Sequence, residues 1–204
     1  MHSYNYIEGV TYYESCNAAL IANNLKAGEY PLKIGGTLIK AKCQLVGGEV
    51  KTTLEHEDSG KAIHISGYDP AGSYSKVIAY KQSLPVLLKL VDTSDRCQQS
   101  MDIACYHSQL STNNWSWLKN GKNEKMSYLA GGSGTGCACG ITNTCANTNH
   151  KCNCDKNDYA LRYDNGIVTA KSDLPLTAFY TGDTGGSTEY KIIVIGNLEC
   201  FTSK

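Results

Sequence analysis

The feature that most constrains this sequence is the density of cysteine between residues 137 and 154. Five of the ten cysteines lie within these eighteen residues, where Ile141 is the only aliphatic side chain larger than alanine. Ordering a residue costs roughly 1–2 kcal/mol of backbone entropy, and a segment so poor in apolar surface cannot offset that cost by burial. We therefore expect covalent or metal crosslinks to hold this segment in place.

Disulfides explain these cysteines better than zinc does. The close pairs have the spacing Cys-x-Cys, whereas structural zinc sites favour Cys-x(2–4)-Cys; zinc is the alternative, with His150 as a further ligand. Two cysteines one residue apart rarely bridge each other, so each needs a different partner and at least one bridge must leave the segment. The even total suits a complete disulfide set. The predicted disulfide cysteines are Cys16, Cys43, Cys97, Cys105, Cys137, Cys139, Cys145, Cys152, Cys154 and Cys200.

The crosslinks also predict the compartment. Disulfides persist outside the cytosol, so we expect an extracellular protein, either secreted or the ectodomain of a membrane protein. Lys+Arg and Asp+Glu both number 19 and no basic run occurs, which argues against a nucleic-acid partner. No apolar stretch approaches the ~20 residues of a membrane span, so we expect no membrane insertion. Residues 1–4 do not resemble a signal peptide, and the export signal is expected to be missing from this chain.

The pattern along the chain predicts an α+β fold with short strands, two helices and long loops. The first helix begins after the N-cap Ser15 and precedes a hairpin, which places Cys16 and Cys43 to bridge each other. The second helix begins at Ser83. Residues 131–136 are glycine-rich and predict a flexible lead into the cysteines, and residues 164–166 predict a tight turn. The apolar run at 192–195 predicts a central strand buried on both faces.

Several motifs occur together in an order that resembles a known family. They are Glu14-Ser15-Cys16, Lys40-Ala41-Lys42-Cys43, Arg96-Cys97-Gln98-Gln99, Trp115-Ser116-Trp117, Cys137-Ala138-Cys139-Gly140, Cys152-Asn153-Cys154-Asp155 and Gly196-Asn197-Leu198-Glu199-Cys200. The series resembles the divergent fibrinogen-like domain of contactin-associated proteins, the neurexin-IV group of adhesion receptors. The resemblance implies a fibrinogen C-terminal-like fold with short mixed or antiparallel sheets, an extracellular setting, and adhesion without catalysis.

The predicted domain organisation follows this resemblance. Residues 1–13 are predicted to be a flexible lead-in, and residues 14–204 a single domain. Within it, residues 14–56 would form an N-terminal subdomain. Residues 57–204 would form a central sheet that carries the cysteine-rich insert 137–154.

Ordinary fibrinogen domains carry an acidic calcium loop before a late cysteine pair. The nearest acidic string here supplies Asp155, Asn157 and Asp158, which are therefore the candidate calcium ligands. Calcium takes 6–8 oxygen ligands, so backbone carbonyls and waters would have to complete the shell. Calcium is a possible ligand, and no cofactor is expected to be required.

Other residues are candidates for recognition or modification. Asn114 opens an Asn-Trp-Ser glycosylation sequon. Trp115 and Trp117 could stack on a sugar or belong to the core. The tyrosines offer large contact area at low entropic cost, and the candidates are Tyr68, Tyr74, Tyr80, Tyr159 and Tyr163. His56 and its acidic neighbours are more simply the solvated end of a strand than an acid–base site, so no catalytic residues are predicted.

We therefore predict a non-catalytic extracellular recognition or adhesion module that binds an extracellular or cell-surface protein through loops. One alternative is a lectin-like domain that binds a glycan, with calcium as an optional ligand. A second alternative is a structural module of a larger extracellular matrix or receptor protein.

Overall fold

The computed structural model describes the backbone of residues 5–7 and 10 and all of residues 11–203. These residues form mostly β-sheet with three short α-helices. The helices are α1 (Cys16–Ala22), α2 (Leu84–Thr93) and α3 (Ala138–Thr142). The strands are β1 (Asn5–Ile7), β2 (Val10–Tyr12), β3 (Gly28–Ile34), β4 (Thr37–Val46), β5 (Glu49–Leu54), β6 (Ile63–Ile65), β7 (Tyr74–Val77), β8 (Arg96–Tyr106), β9 (Trp117–Asn120), β10 (Lys125–Met126), β11 (Leu161–Val168), β12 (Leu176–Thr181), β13 (Tyr190–Ile195) and β14 (Leu198–Ser203).

The main sheet has eight strands in the described part of the chain, and all its strand pairs are antiparallel. Its order is β3-β4-β5-β14-β8-β13-β6, and β11 also pairs with β8. Residues 101–106 of β8 pair with β13 and β11 at once, so these two strands lie on opposite edges of β8. Strand β8 therefore lies between them, and it also pairs with β14.

A second sheet has the order β10-β9-β12-β7, and β1 pairs with β2. Both larger sheets contribute to one core, in which Met101 and Ile193 of the main sheet cluster with Leu118 and Phe179 of the second sheet and with Leu87 of α2. The content of strands, helices and disulfides is compatible with the predicted α+β class. The fibrinogen-like topology stays a prediction.

Two predicted helices are present, and local signals explain where they begin. The Ser15 hydroxyl accepts a hydrogen bond from the N–H of Ala18 at the start of α1, and a proline lies in the first turn of α2. Helix α3, inside the cysteine-rich segment, was not predicted. No helix among the described residues has both the length and the apolar character that crossing a membrane requires.

Part of the predicted lead-in packs against the domain. Residues 1–4, 8 and 9 lie outside the described residues. Strand β2 follows them, and the side chain of Tyr12 is buried. The backbone N–H of Tyr13 donates to Pro31, and its carbonyl accepts from Lys33. The described end of this segment is therefore held against β3.

All ten cysteines are bridged. The predicted pair Cys16–Cys43 is present and joins α1 to β4. Two bridges lie within the cysteine-rich segment, a third leaves it to reach β8, and a fourth joins β8 to β14. These four are Cys137–Cys152, Cys139–Cys145, Cys105–Cys154 and Cys97–Cys200.

The zinc alternative does not fit this arrangement. Cys137, Cys152 and Asp164 bring potential ligand atoms together, but the two sulfurs are bonded to each other and cannot act as thiolates. The side chain of His150 lies instead within hydrogen-bonding distance of the hydroxyl of Thr112.

One local prediction in this region is wrong. Residues 164–166 lie inside β11 and make no turn, because residues 161–168 pair continuously with β8. The buried Asp164 carboxylate accepts the backbone N–H groups of Asn153 and Cys154. In the glycine-rich segment, Gly132 and Gly136 pack against neighbouring backbone, whereas residues 133–135 are exposed, and the flexibility of the segment stays a prediction. A Cβ on Gly136, at φ +111°, would lie 2.4 Å from the Cβ of Lys151. Glycine is needed there for close contact between backbones as well as for its conformation.

Candidate partner-binding surface

Asp155, a candidate calcium ligand, is buried and bound by protein donors. Its Oδ1 accepts backbone N–H groups from Leu110 at 2.8 Å, Ser111 at 3.0 Å and Thr112 at 3.3 Å. Its Oδ2 accepts the hydroxyl of Ser111. The carboxylate therefore orients the loop at residues 110–112.

The other two candidate ligands do not complete a calcium site. Asp158 is paired with Arg162 at 2.6 Å and with Lys156 at 3.3 Å, and the hydrogen bonds from Arg162 lower the pKa of Asp158 to about 2. Asn157 is exposed and has a left-handed backbone. Asp158 is already paired with two cationic side chains, which disfavours binding of a metal cation. The Asp155 carboxylate is buried and bound by protein donors, so these residues do not fit a calcium ion.

We expect the chelator EDTA to leave the melting temperature unchanged, whereas Asp155→Ala should lower the free energy of unfolding by about 2–4 kcal/mol. The variant leaves three backbone N–H groups without their acceptor, and an unsatisfied buried donor costs about 1–3 kcal/mol. The full cost applies to the buried Leu110, whereas Ser111 and Thr112 are half-buried and can regain hydrogen bonds from water. Thermal melts of the parent protein with and without EDTA measure the first effect, and urea denaturation of both proteins measures the second. A chelator-dependent melting temperature in the parent protein would restore the calcium hypothesis.

The two tryptophans do not form one exposed face. Trp117 stacks on Tyr180, with ring centroids 5.1 Å apart and an interplanar angle of 9°. The ammonium group of Lys125 lies 4.0 Å from the centre of the Trp117 ring. The half-buried Trp115 donates its indole N–H to Gln109. Because β10 and β12 flank β9, Lys125 and Tyr180 occupy both sides of Trp117 and leave it no open ring face for a sugar.

The glycosylation sequon is compatible with a surface glycan. Asn114 is exposed, whereas the hydroxyl of Ser116 is buried and lies 2.7 Å from the hydroxyl of Thr181. Glycosylation of Asn114 stays a prediction.

The histidine region does not assemble an acid–base group. His56 is buried, its Nε2 lies 3.2 Å from the carbonyl of Gly196, and burial lowers its pKa. Glu55 pairs with Lys42, and Asp58 pairs with Lys76.

The structure places Tyr159 and Tyr163 on an apolar surface formed largely by the outward face of the main sheet. Side chains alternate between the two faces of a strand, so residues 104 and 106 of β8 face outward while 103 and 105 are buried. We call this surface the aromatic sheet face and define it by the residues His64, Ala104, Tyr106, Tyr159, Leu161, Tyr163, Tyr190 and Ile192.

Strand register brings these residues together in rows. Tyr106 lies directly opposite Tyr190 on one side and Leu161 on the other. In the next row Ala104 lies between Ile192 and Tyr163. Four strands thus contribute to one continuous surface, since His64 of β6 is opposite Ile192.

The aromatic rings contact one another across the strands. The rings of Tyr106 and Tyr190 stack at 5.6 Å with an interplanar angle of 8°, and His64 stacks on Tyr190 at 5.3 Å. Tyr159 meets Tyr106 edge-on at 6.4 Å, and the ring of His107 at 4.0 Å. These ring–ring contacts restrain the orientations of the rings, so the aromatic sheet face is largely preorganised for binding.

The prediction of a strand buried on both faces is wrong for β13. Ile193 and Ile195 are buried, but Ile192 and Val194 face outward and are half-buried. Among the described residues, no helix or sheet packs over Ile192 and Val194. The apolar run therefore reflects an open sheet face rather than a second core.

The same face of the main sheet is charged at its other end. There Lys42 pairs with Glu55 at 2.5 Å, and Lys51 pairs with Glu199 at 2.8 Å. By contrast, Asp102 is the only carboxylate among the outward residues of β11, β13 and the part of β8 between them. Leu161, Tyr163 and Tyr159 are 43%, 52% and 68% exposed. Large contiguous exposed apolar patches are typical of interaction sites, so this surface is the candidate site.

Comparison with known proteins gives relatives but no matching family model. The chain is 30% identical to Neurexin-4 of Drosophila melanogaster over 165 residues, which is 75% of this chain. It is 27% identical to contactin-associated protein 1 of Mus musculus over 203 residues, or 93% of this chain, and 32% identical to the Homo sapiens protein over 120 residues, or 55%.

The chain is a homologue of a segment of these proteins. It spans 13% of the length of Neurexin-4, and 14% and 8% of the mouse and human relatives. The resemblance to the neurexin-IV group is therefore supported, whereas its fibrinogen-like part stays a prediction.

Proposed function

We propose that this chain is a non-catalytic extracellular recognition or adhesion module, and that it binds a protein partner through the aromatic sheet face. The observation that carries the proposal is the open apolar half of an otherwise charged sheet face. The relatives support an adhesion role, and the five disulfides support an extracellular setting.

The chemistry of the surface indicates the kind of partner. Aromatic side chains dominate the binding energy of many protein interfaces, and tyrosine combines apolar area with a hydroxyl that can form hydrogen bonds. The near absence of charge favours a partner surface that is itself apolar and uncharged at its centre. Burial of apolar area contributes about 25 cal/mol per Å², so covering these rings would stabilise a complex.

The name of contactin-associated protein 1 records an association with contactin, so contactins belong among the candidate partners to be tested. The experiment is a binding screen of the purified chain against extracellular protein ectodomains, contactins included. A glycan array is probed in parallel, with and without EDTA. Protein binding by the aromatic sheet face supports the proposal. Calcium-dependent glycan binding without protein binding would favour the lectin alternative, and no binding at all would favour the structural module.

The Tyr159→Ser/Tyr163→Ser double variant should weaken binding of a protein found in that screen by at least about tenfold, which is about 1.4 kcal/mol. Both side chains are exposed, so the expected loss comes from lost contact area and not from unfolding. Surface plasmon resonance measures the affinity, and circular dichroism verifies the fold.

The matched control for this double variant is Tyr68→Ser, which removes a 40% exposed tyrosine outside the aromatic sheet face. It should bind like the parent protein. Equal losses in the control and the double variant would contradict the assignment of this face.

A further inference from the structure

A second surface lies on the smaller sheet and differs in chemistry from the aromatic sheet face. We call it the lysine–aromatic patch and define it by Trp117 and Lys119 of β9, Lys125 of β10 and Tyr180 of β12. Trp117 and Tyr180 are directly opposite each other and stacked. Lys125 lies over Trp117, and the ammonium group of Lys119 is 5.8 Å from the ring centre of Tyr180.

The two lysines face each other without a carboxylate between them. Lys119 and Lys125 are directly opposite in the β9–β10 pair, and neither is in an ion pair with a described residue. The neighbouring Glu124 forms no ion pair with either lysine, and its carboxylate accepts a hydrogen bond from the side-chain amide of Asn120 at 2.8 Å. Like charges directly opposite on adjacent strands are destabilising. A bound anion would remove this cost.

Elsewhere on the described surface, several exposed cations have acidic partners. Lys40 lies 3.8 Å from Glu29, Lys42 pairs with Glu55, and Arg96 pairs with Glu49. Other exposed lysines, such as Lys26 and Lys122, also form no ion pair with a described residue. The lysine–aromatic patch differs from them because its two unpaired lysines lie opposite each other beside two aromatic rings.

The patch is also rigid. The tip of the Trp117 ring lies against Gly72, where an added Cβ would be 1.9 Å from the ring. The ring is thus fixed by Gly72 and flanked by Tyr180 and Lys125. Interaction with the rings restrains the ammonium groups in turn, which lowers the entropic cost of binding an anion.

An apolar edge adjoins the charged centre. Ser75 of β7 is opposite Tyr180, and Val77 on the same strand is 67% exposed. Two cations, an aromatic stack and an exposed aliphatic side chain suit a ligand that alternates carboxylates with apolar groups. A sugar fits less well, because both sides of Trp117 are occupied.

From this charge complementarity we propose that the lysine–aromatic patch is a second docking surface, which binds an acidic segment of a protein partner. The lysine–aromatic patch shares no residue with the aromatic sheet face, and it is positively charged whereas that face is nearly uncharged. The two surfaces can therefore be tested independently, and failure of one does not affect the other.

The test uses fluorescence anisotropy of the full chain with a labelled peptide of alternating glutamate and tyrosine. A second peptide carries glutamine in place of glutamate, and a sulfated heparin oligosaccharide represents acidic glycans. We expect the acidic peptide to bind, the glutamine peptide to bind at least about tenfold more weakly, and added salt to weaken the acidic complex.

The Lys119→Ser/Lys125→Ser double variant should bind the acidic peptide at least about tenfold more weakly than the parent chain. The charge-matched control is Lys40→Ser/Lys61→Ser, which removes two exposed lysines elsewhere and should change affinity less than about twofold. Equal losses of affinity in both double variants would show that the effect comes from net charge alone, and this would overturn the proposal. It would also be overturned if the glutamine peptide bound equally well, or if only the heparin oligosaccharide bound.

Discussion

Replacing Cys97 and Cys200 by alanine is expected to lower the free energy of unfolding by about 5 kcal/mol. The bridge joins residues 103 positions apart in sequence, and it directly links opposite positions of β8 and β14. A crosslink that closes a longer loop removes more conformational entropy from the unfolded chain. Both cysteines are buried beside the core, so their removal also costs packing.

The bridge Cys139–Cys145 provides the matched control, since its residues are only six positions apart. In the same chain-entropy relation its removal by paired alanines should cost about 2 kcal/mol. Urea denaturation under non-reducing conditions measures both variants against the parent protein. Equal losses, or a larger loss for the short loop, would show that loop closure does not govern stability here.

The second large effect is an increase in stability with pH that depends on Lys191. This lysine of β13 is fully buried, and its ammonium group donates to the hydroxyl of Ser108 and the carbonyl of Gly182, both at 2.6 Å. Burial lowers the pKa of Lys191 to about 7, although the carboxylates of Asp183, Asp155 and Glu189 act to raise it. It forms no ion pair with a described residue.

The sign follows from proton counting. An unfolded lysine keeps a pKa near 10.4, so between about pH 7 and 10 the unfolded state binds one proton more than the folded state. The free energy of unfolding should therefore rise with pH in this window, by up to about 1.4 kcal/mol per pH unit. Below about pH 7 the lysine is protonated in both states and contributes no slope.

Urea denaturation at pH 7.5, 8.5 and 9.5 tests this expectation on the parent protein and on Lys191→Met. The variant keeps an unbranched side chain of similar length and should lose most of the slope. Lys61→Met, which removes an exposed lysine, should retain the slope. The same slope in Lys191→Met and the parent would exclude Lys191 as its source.

Properties that depend on neighbouring residues in the chain could be predicted from the sequence. The Ser15 cap, the helix after it and the bridge Cys16–Cys43 all arise within one short segment. The cysteine-rich segment also had to be crosslinked, because no fold can bury apolar side chains that a segment lacks.

The candidate sites depended on residues far apart in sequence. Asp155 suggested a metal ligand, but folding brings the backbone of residues 110–112 to its carboxylate. Tyr159 and Tyr163 were identified as contact residues by type alone, whereas His64, Tyr106 and Tyr190 were missed. The outward alternation of Tyr106 and Tyr190 in their strands is a sequence signal for them, but it does not show which strands are neighbours.

The sequence by itself determined that this chain needs disulfides, forms short strands with few helices, and has no composition suited to nucleic acid. Only the tertiary structure decided which apolar strand residues stay open to a partner. The physical reason is that an alternating strand specifies two faces, while strand order and the packing of other elements determine which face is covered. Tertiary packing also decided that the Asp155 carboxylate accepts hydrogen bonds from backbone N–H groups, because a buried carboxylate binds whichever donors the fold places around it.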